Sequence, residues 1–212
     1  VSVLPLVLTS GWASGVNAYA VVLLLGIFGA TGLSDDVPEA LQRPEILVTV
    51  GVLFLCEAVA DKIPYVDSVW DSVHTVIRPA VGAWVGALLA GQSGSLSDLT
   101  AALLGGSTAL ASHTVKAGTR MAVNTSPEPF SNIAVSTVED LGVAGVVTLA
   151  VFHPWAAAVV AGALLFTGLA VLCFLLSRVR LFLRRRARRR EERRTAAAVE
   201  RPPGGTPYAD RD

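Results

Sequence analysis

Along the chain, long apolar runs alternate with short polar links. The runs cover residues 12–33, 46–60, 79–91, 96–118, 133–152 and 154–176. Crossing a bilayer takes roughly 20 apolar residues in a helix. The sixth run, 23 residues without a charge, meets that need outright. The third, at 13 residues, is short for a crossing. Either it recruits the polar residues before it across a kink at Pro79, or the segment near 61–79 is itself broken or re-entrant. Irregular backbone at membrane depth is tolerated only where it is buried in protein or lines water. Gly11/Gly15 and Gly82/Gly86, each pair four residues apart, predict close helix contacts. The pattern predicts an all-α, polytopic membrane protein of about six transmembrane helices.

The polar positions are as ordered as the apolar ones. Asp67, Asp71, His74 and Arg78 recur at i, i+4, i+7 and i+11, which is one helical face. Val66, Val69, Val73, Val76 and Ile77 fall largely on the other. In the fourth run, His113, Lys116, Arg120 and Asn124 form a second such face at i, i+3, i+7 and i+11. Ionisable groups beside a bilayer core are costly and usually have partners. Asp67 and Asp71 are expected to meet Lys116 and Arg120, so that the eight residues form a cytoplasmic gate or substrate lining. Glu57, Asp61, Glu139 and Asp140 are expected deeper, as an ion or proton relay. Glu139 and Asp140 are adjacent and so point about 100° apart, one inward and one to the boundary. The same residues also suit a salt-bridge network that only locks helices together.

Charge sets the orientation and the domain division. Residues 1–177 hold 5 Lys/Arg and 12 Asp/Glu, and residues 178–212 hold 12 Arg and 5 Asp/Glu. The tail is thus a separate basic module beside a transmembrane domain of residues 1–177. With six spans, Lys62, Arg78, Lys116, Arg120 and the tail share one side and Arg43 stands on the other. The excess of Lys/Arg makes the first side cytoplasmic and predicts a multi-pass cell-membrane protein with both termini inside. The tail arginines, Arg184, Arg185 and Arg186 among them, read as a topology anchor and then as a site for anionic lipid headgroups. The tail turns Pro/Gly-rich and is expected to be disordered. It has no fold or aromatic interleaving suited to nucleic acid, which is not an expected partner.

Other chemistry narrows the choice. Asp67, Asp71 and His74 put oxygen-rich ligands on one face and are candidates for magnesium or manganese. No HExxH, paired CxxC, Walker A, G-x-S-x-G or dinucleotide-binding glycine pattern is present, and no cofactor is expected. Cys56 and Cys173 lie in apolar runs as small hydrophobes, not as a disulfide framework. The opening residues lack a basic n-region and do not read as a cleaved signal. Asn124-Thr125-Ser126 is a formal glycosylation sequon, inert on a cytoplasmic side.

RPAVGAWVGALLAG (78–91) is similar to HPWAAAVVAGALLFTG (153–168), and each half has a carboxylate in its second span, Glu57 and Glu139. These features suggest a 3+3 inverted repeat, an arrangement typical of transporters.

SGVNAY near the start, ADKIPYVDSVWDSVHTVIRP in the middle, and SHTVKAGTR, NTSPEPFSN and VED later together resemble the bacterial membrane family catalogued as domain of unknown function 4126. The resemblance covers about residues 9–176 and implies a multispanning membrane protein without an established activity. From the residues, the leading expectation is a small transporter or channel-like permease for an ion or small polar solute, more plausibly not an enzyme. Its expected partners are the bilayer and, in a homo-oligomer, a second copy of the chain. The alternatives are a non-catalytic membrane scaffold and a metal-dependent enzyme acting on lipid headgroups.

Overall fold

A computed structural model describes residues 3–63, 65–124 and 129–199, with side chains to residue 188. Residues 125–128, which include Thr125 and Ser126 of the sequon, and the Pro/Gly-rich end of the tail lie outside the described residues. Among the described residues every regular element is a helix: α1 (Leu4–Val16), α2 (Ala18–Ala30), α3 (Glu39–Gln42), α4 (Pro44–Ala60), α5 (Val66–Ser93), α6 (Asp98–Val123), α7 (Pro129–Phe152) and α8 (Pro154–Val199). Val66–Ser93, Phe130–Phe152 and Pro154–Arg188 are each long and apolar enough to cross a membrane, and α1 and α2 are shorter apolar helices. The chain is a helical membrane protein.

Its burial pattern is the reverse of that of a water-soluble domain. Along α5 the buried stripe is Asp67, Asp71, His74, Arg78, Gly82, Val85, Gly86 and Leu89. Val69, Val73 and Val76, on the opposite face, are exposed. Along α6 the buried stripe is Ala101, Gly105, Ala109, Ser112, His113, Lys116 and Arg120. Each stripe is small or apolar at one end of its helix and charged at the other. Apolar side chains face outward, where hydrocarbon solvates them, and the charges face each other.

Small residues set the packing. A Cβ on Gly82 would lie 2.7 Å from Ala109 Cβ, and one on Gly86 would lie 2.6 Å from Ala101 O. α5 and α6 are therefore antiparallel with backbones in direct contact. α1 enters the same seam parallel to α6. A Cβ on Gly11 would lie 2.6 Å from Gly105 O, and one on Gly15 would overlap Ser112 Oγ and the Ala109 carbonyl.

The polar segment before Pro79 takes the first of its two expected forms. Residues 66–93 run as one helix through Pro79. The helical run is interrupted between Ala60 and Val66, where Tyr65 has φ 69°, the one positive φ outside glycine among the described residues. The first expected span departs from the prediction. Residues 12–33 are not one helix, because α1 ends and α2 begins at Asn17, which is extended (φ −148°, ψ 98°). A Cβ on Gly86 would lie 3.4 Å from Val7 Cγ1, and Gln92 Nε2 donates to the Asp35 carbonyl at 3.0 Å. Both Val7 and Asp35 thus lie at the Gly86–Gln92 end of α5. α1 and α2 leave and return at one end of the bundle, with Asn17 at the tip.

The two segments proposed as a repeat both touch α6, a Cβ on Gly168 lying 2.6 Å from Val115 Cγ1, but not through matching glycines. Gly82 and Gly86 are pressed against α6, whereas a Cβ on Gly162 would meet nothing within 4 Å. The chain divides into two compact units, Val1–Leu172 and Cys173–Asp212. In the second, the described residues continue as helix and Arg184, Arg185 and Arg186 are exposed. The Arg178 guanidinium there lies 4.9 Å above the Phe174 ring.

Candidate functional site

The charged halves of the α5 and α6 stripes meet the C-terminal end of α4, the first turns of α7 and the Asn17 tip. Three cations organise the site. Arg78 donates from Nη2 to Glu57 Oε1 at 2.6 Å and from Nη1 to Asp71 Oδ1 at 2.8 Å. Lys116 Nζ donates to Asp61 Oδ2 at 2.5 Å and lies 3.7 Å from both Glu57 Oε1 and Glu139 Oε2. Arg120 Nη2 donates to Glu139 Oε2 at 2.7 Å and lies 3.5 Å from Asp61 Oδ2, while its Nη1 donates to the Asp61 carbonyl at 2.9 Å.

These contacts merge what the sequence suggested as two layers. Glu57, Asp61 and Glu139, expected as a deeper relay, are direct partners of Arg78, Lys116 and Arg120, expected as a gate. Asp71 pairs with Arg78 on its own helix instead of with Lys116 or Arg120. Asp67 lies 3.9 Å from Arg120 Nη1. Neutral donors solvate it more closely: the Ser68 N–H at 2.7 Å, Asn124 Nδ2 at 2.9 and 3.0 Å, and Asn132 Nδ2 at 3.4 Å. Asp140 turns away from Glu139, accepts from Asn17 Nδ2 at 3.1 Å and lies 3.9 Å from Lys62 Nζ.

Both histidines are held by specific partners. A guanidinium only donates, so His113 Nδ1, 2.8 Å from Arg78 Nη1, accepts. Its Nε2 then donates to Thr75 Oγ1 at 3.1 Å, and the Thr75 hydroxyl donates to the Asp71 carbonyl at 3.1 Å. His74 Nδ1 donates to the Trp70 carbonyl at 2.8 Å, and its Nε2 faces the Tyr19 hydroxyl at 3.0 Å. The ring stacks on Trp70 with centroids 4.7 Å apart. The metal set Asp67, Asp71 and His74 therefore does not converge. Its members have separate partners, and no group of three His, Cys, Asp or Glu suited to a metal occurs among the described residues.

The connected set holds five carboxylates (Glu57, Asp61, Asp67, Asp71 and Glu139) and three cations (Arg78, Lys116 and Arg120). Glu57 Oε2, Asp61 Oδ1 and Asp71 Oδ2 are buried and have no hydrogen-bond partner among the described residues. An excess of two negative charges in a low-dielectric interior is costly.

The ends of the broken helix complete the site. The last carbonyl of α1, Val16 O, accepts from Lys116 Nζ at 2.9 Å. Asn17 caps α2, its Oδ1 accepting from the Ala20 N–H at 2.9 Å, while its Nδ2 reaches Asp140. A helix C-terminus facing a cation and an N-terminus facing an acid follow the helix dipole. Asn17, Tyr19, Asn132 and Ser136 are site residues that charge patterning passed over. Asn132, Ser136 and Glu139 stand at i, i+4 and i+7 on α7, the same signal written in neutral side chains.

Beside the network lies a cavity of about 260 Å³ between α1, α6, α7 and the 154–172 part of α8. Apolar Trp12, Val16, Val115, Leu164 and Leu165 line it, and Lys116 and Glu139 are its charged members.

The family model described as Domain of unknown function (DUF4126) matches residues 4–173, so the chain belongs to that family. No curated protein and no solved structure matches it.

Proposed function

We propose that this family member is a small transporter whose buried carboxylate network takes up and releases protons or a small cation as it moves a solute. The observation that carries this reading is the helix break at Asn17, which places the free ends of α1 and α2 against Lys116 and Asp140. Discontinuous helices whose ends face ions at mid-membrane are a recurring device of transporters. The two negative charges in excess, with one unpartnered oxygen each on Glu57, Asp61 and Asp71, supply a place to load charge. Glu57, Asp61 and Glu139 carry the exchange, Arg78, Lys116 and Arg120 hold the carboxylates in place, and Asp67, Asp71, His113 and Asn124 brace them.

In this reading the network end of the bundle is cytoplasmic, following Lys62, Lys116 and Arg120. Residue 4 then lies towards the opposite side, because α1 and α2 turn back at Asn17. The expectation that both termini share a side rested on a single crossing by residues 12–33. The basic tail, with Arg184, Arg185 and Arg186, anchors to anionic headgroups.

A second reading is favoured by how closed the network is. Arg78 and Glu57 have no exposed side-chain surface, as a purely structural lock between helices requires. Proteoliposomes with an internal pH dye and an imposed potential separate the two. The transporter reading expects a proton or cation response that Glu57→Gln and Asp61→Asn each abolish while the protein remains folded. An unchanged response in both variants, or none in the wild type under any imposed gradient, leaves the scaffold.

A further inference from the structure

The cavity beside the network has a chemistry of its own. Its walls are mostly apolar, the hydroxyls of Ser112 and Thr119 being spent on the Trp12 and Val115 carbonyls, and its lining residues Val138 and Leu164 are 70% and 47% exposed, which opens it to the outer surface of the bundle. Of its two charged members, Lys116 has 2% of its side chain exposed and its Nζ already donates to Asp61 and to Val16 O. Glu139 has 17% exposed, and both its ion pairs run through Oε2, which leaves Oε1 outside them. The polar group offered to an occupant is thus a carboxylate in a network that already holds more acids than cations. A negative headgroup would be repelled. A neutral amphiphile would cover Glu139 without adding the positive charge that the acid excess of the network lacks.

We propose that this cavity binds an amphipathic cation, with its apolar body against Trp12, Val115, Leu164 and Leu165 and its protonated or quaternary nitrogen at Glu139. Arrival of that cation beside Glu139 competes with Arg120 and Lys116 for the same carboxylate, which couples occupancy of the cavity to the network. The assignment deepens the transporter reading by naming a substrate class, and only its transport consequence rests on that reading.

Binding of radiolabelled octyltrimethylammonium to the full chain in zwitterionic nanodiscs tests it, with empty nanodiscs subtracting partition into lipid. The expected result is saturable binding that octylammonium displaces and that octanol and octyl sulfate do not. Glu139→Gln weakens it by about tenfold or more, the loss of one charge-assisted contact. Gly142→Leu is the second variant. Gly142 lines the cavity, and a Cβ there meets nothing within 4 Å, so the larger side chain has space to occupy there and leaves the charge of Glu139 in place. It abolishes binding in a protein that still melts cooperatively. Absence of saturable binding, equal displacement by octanol, or unchanged binding in both variants overturns the proposal. Saturable binding without movement of the cation into proteoliposomes keeps the cavity assignment and removes the transporter. A proton response without cation binding does the reverse.

Discussion

Arg78 of α5 reaches Glu57 of α4 across 2.6 Å, and neither side chain has any exposed surface. The pair ties α4 to α5 although the two helices are joined by a strained turn at Tyr65. Removing the cation should leave Asp71 without its ion pair and Glu57 with only the 3.7 Å contact to Lys116. Arg78→Met is expected to cost about 3–5 kcal/mol, the range for breaking a buried pair. Glu57→Gln should cost markedly less, because its amide oxygen still accepts from Arg78 and the set loses one of its excess negative charges. Chemical unfolding of both variants in the same detergent checks the order. Equal losses would show that the acid excess is already neutralised.

Charge reversal discriminates between the partners expected from sequence and those observed. Asp61 and Lys116 are in direct contact, whereas Asp71 is engaged by Arg78. Asp61→Lys with Lys116→Asp should recover part of the stability lost in either single variant. Asp71→Lys with Lys116→Asp should recover none. A thermal-melt cycle for each pair measures the coupling. Recovery in the second pair alone would reverse the assignment.

Asn17 does two things at once, capping α2 and donating to Asp140. Asn17→Ala removes both and is expected to cost about 1–2 kcal/mol from the cap alone. Asn17→Asp keeps the cap but sets a carboxylate against Asp140 and should destabilise further. If Asn17→Asp were the milder change in melting temperature, the Asp140 contact would carry little weight.

Gly105 faces α1 and α5 together. A Cβ there would overlap the Gly82 carbonyl, which is backbone and cannot rotate away, while Gly142 and Gly145 meet nothing. Gly105→Ala should lower stability by about 1–3 kcal/mol through overpacking. Gly142→Ala and Gly145→Ala should be close to neutral or better, since alanine favours helix over glycine. Melting temperatures of the three variants suffice.

The charged stripes were legible because helical spacing converts directly into a shared face. Asp67 through Arg78 and His113 through Asn124 do face one another. Exact pairing was not legible. Arg78 at i+7 from Asp71 folds back to its own helix, and Lys116 takes Asp61 from the turn, choices set by side-chain reach in three dimensions. The break at Asn17 was hidden because YAVVLLLGIFGA continues the apolar run without proline or charge. A lone asparagine there reads as a tolerated polar residue until its Oδ1 is seen capping a new helix. Asn132 and Ser136 escaped notice because a search for charge does not register neutral hydrogen-bonding groups.

The contact of α1, α5 and α6 at Gly105 has a mechanical consequence. Backbone lies on backbone there, so none of the three helices can slide or tilt alone without collision. They form one stiff member. α7 is held to it partly by adjustable side chains, Glu139 to Arg120 and Asn132 to Asp67. Its Gly142 and Gly145 have open space beside them. Compliance is therefore uneven across the bundle. α7 meets the charged face of α6 through ionic and amide side chains, while its Val143, Val146, Val147 and Ala150 lie in the buried core, so its compliance is confined to the charged end.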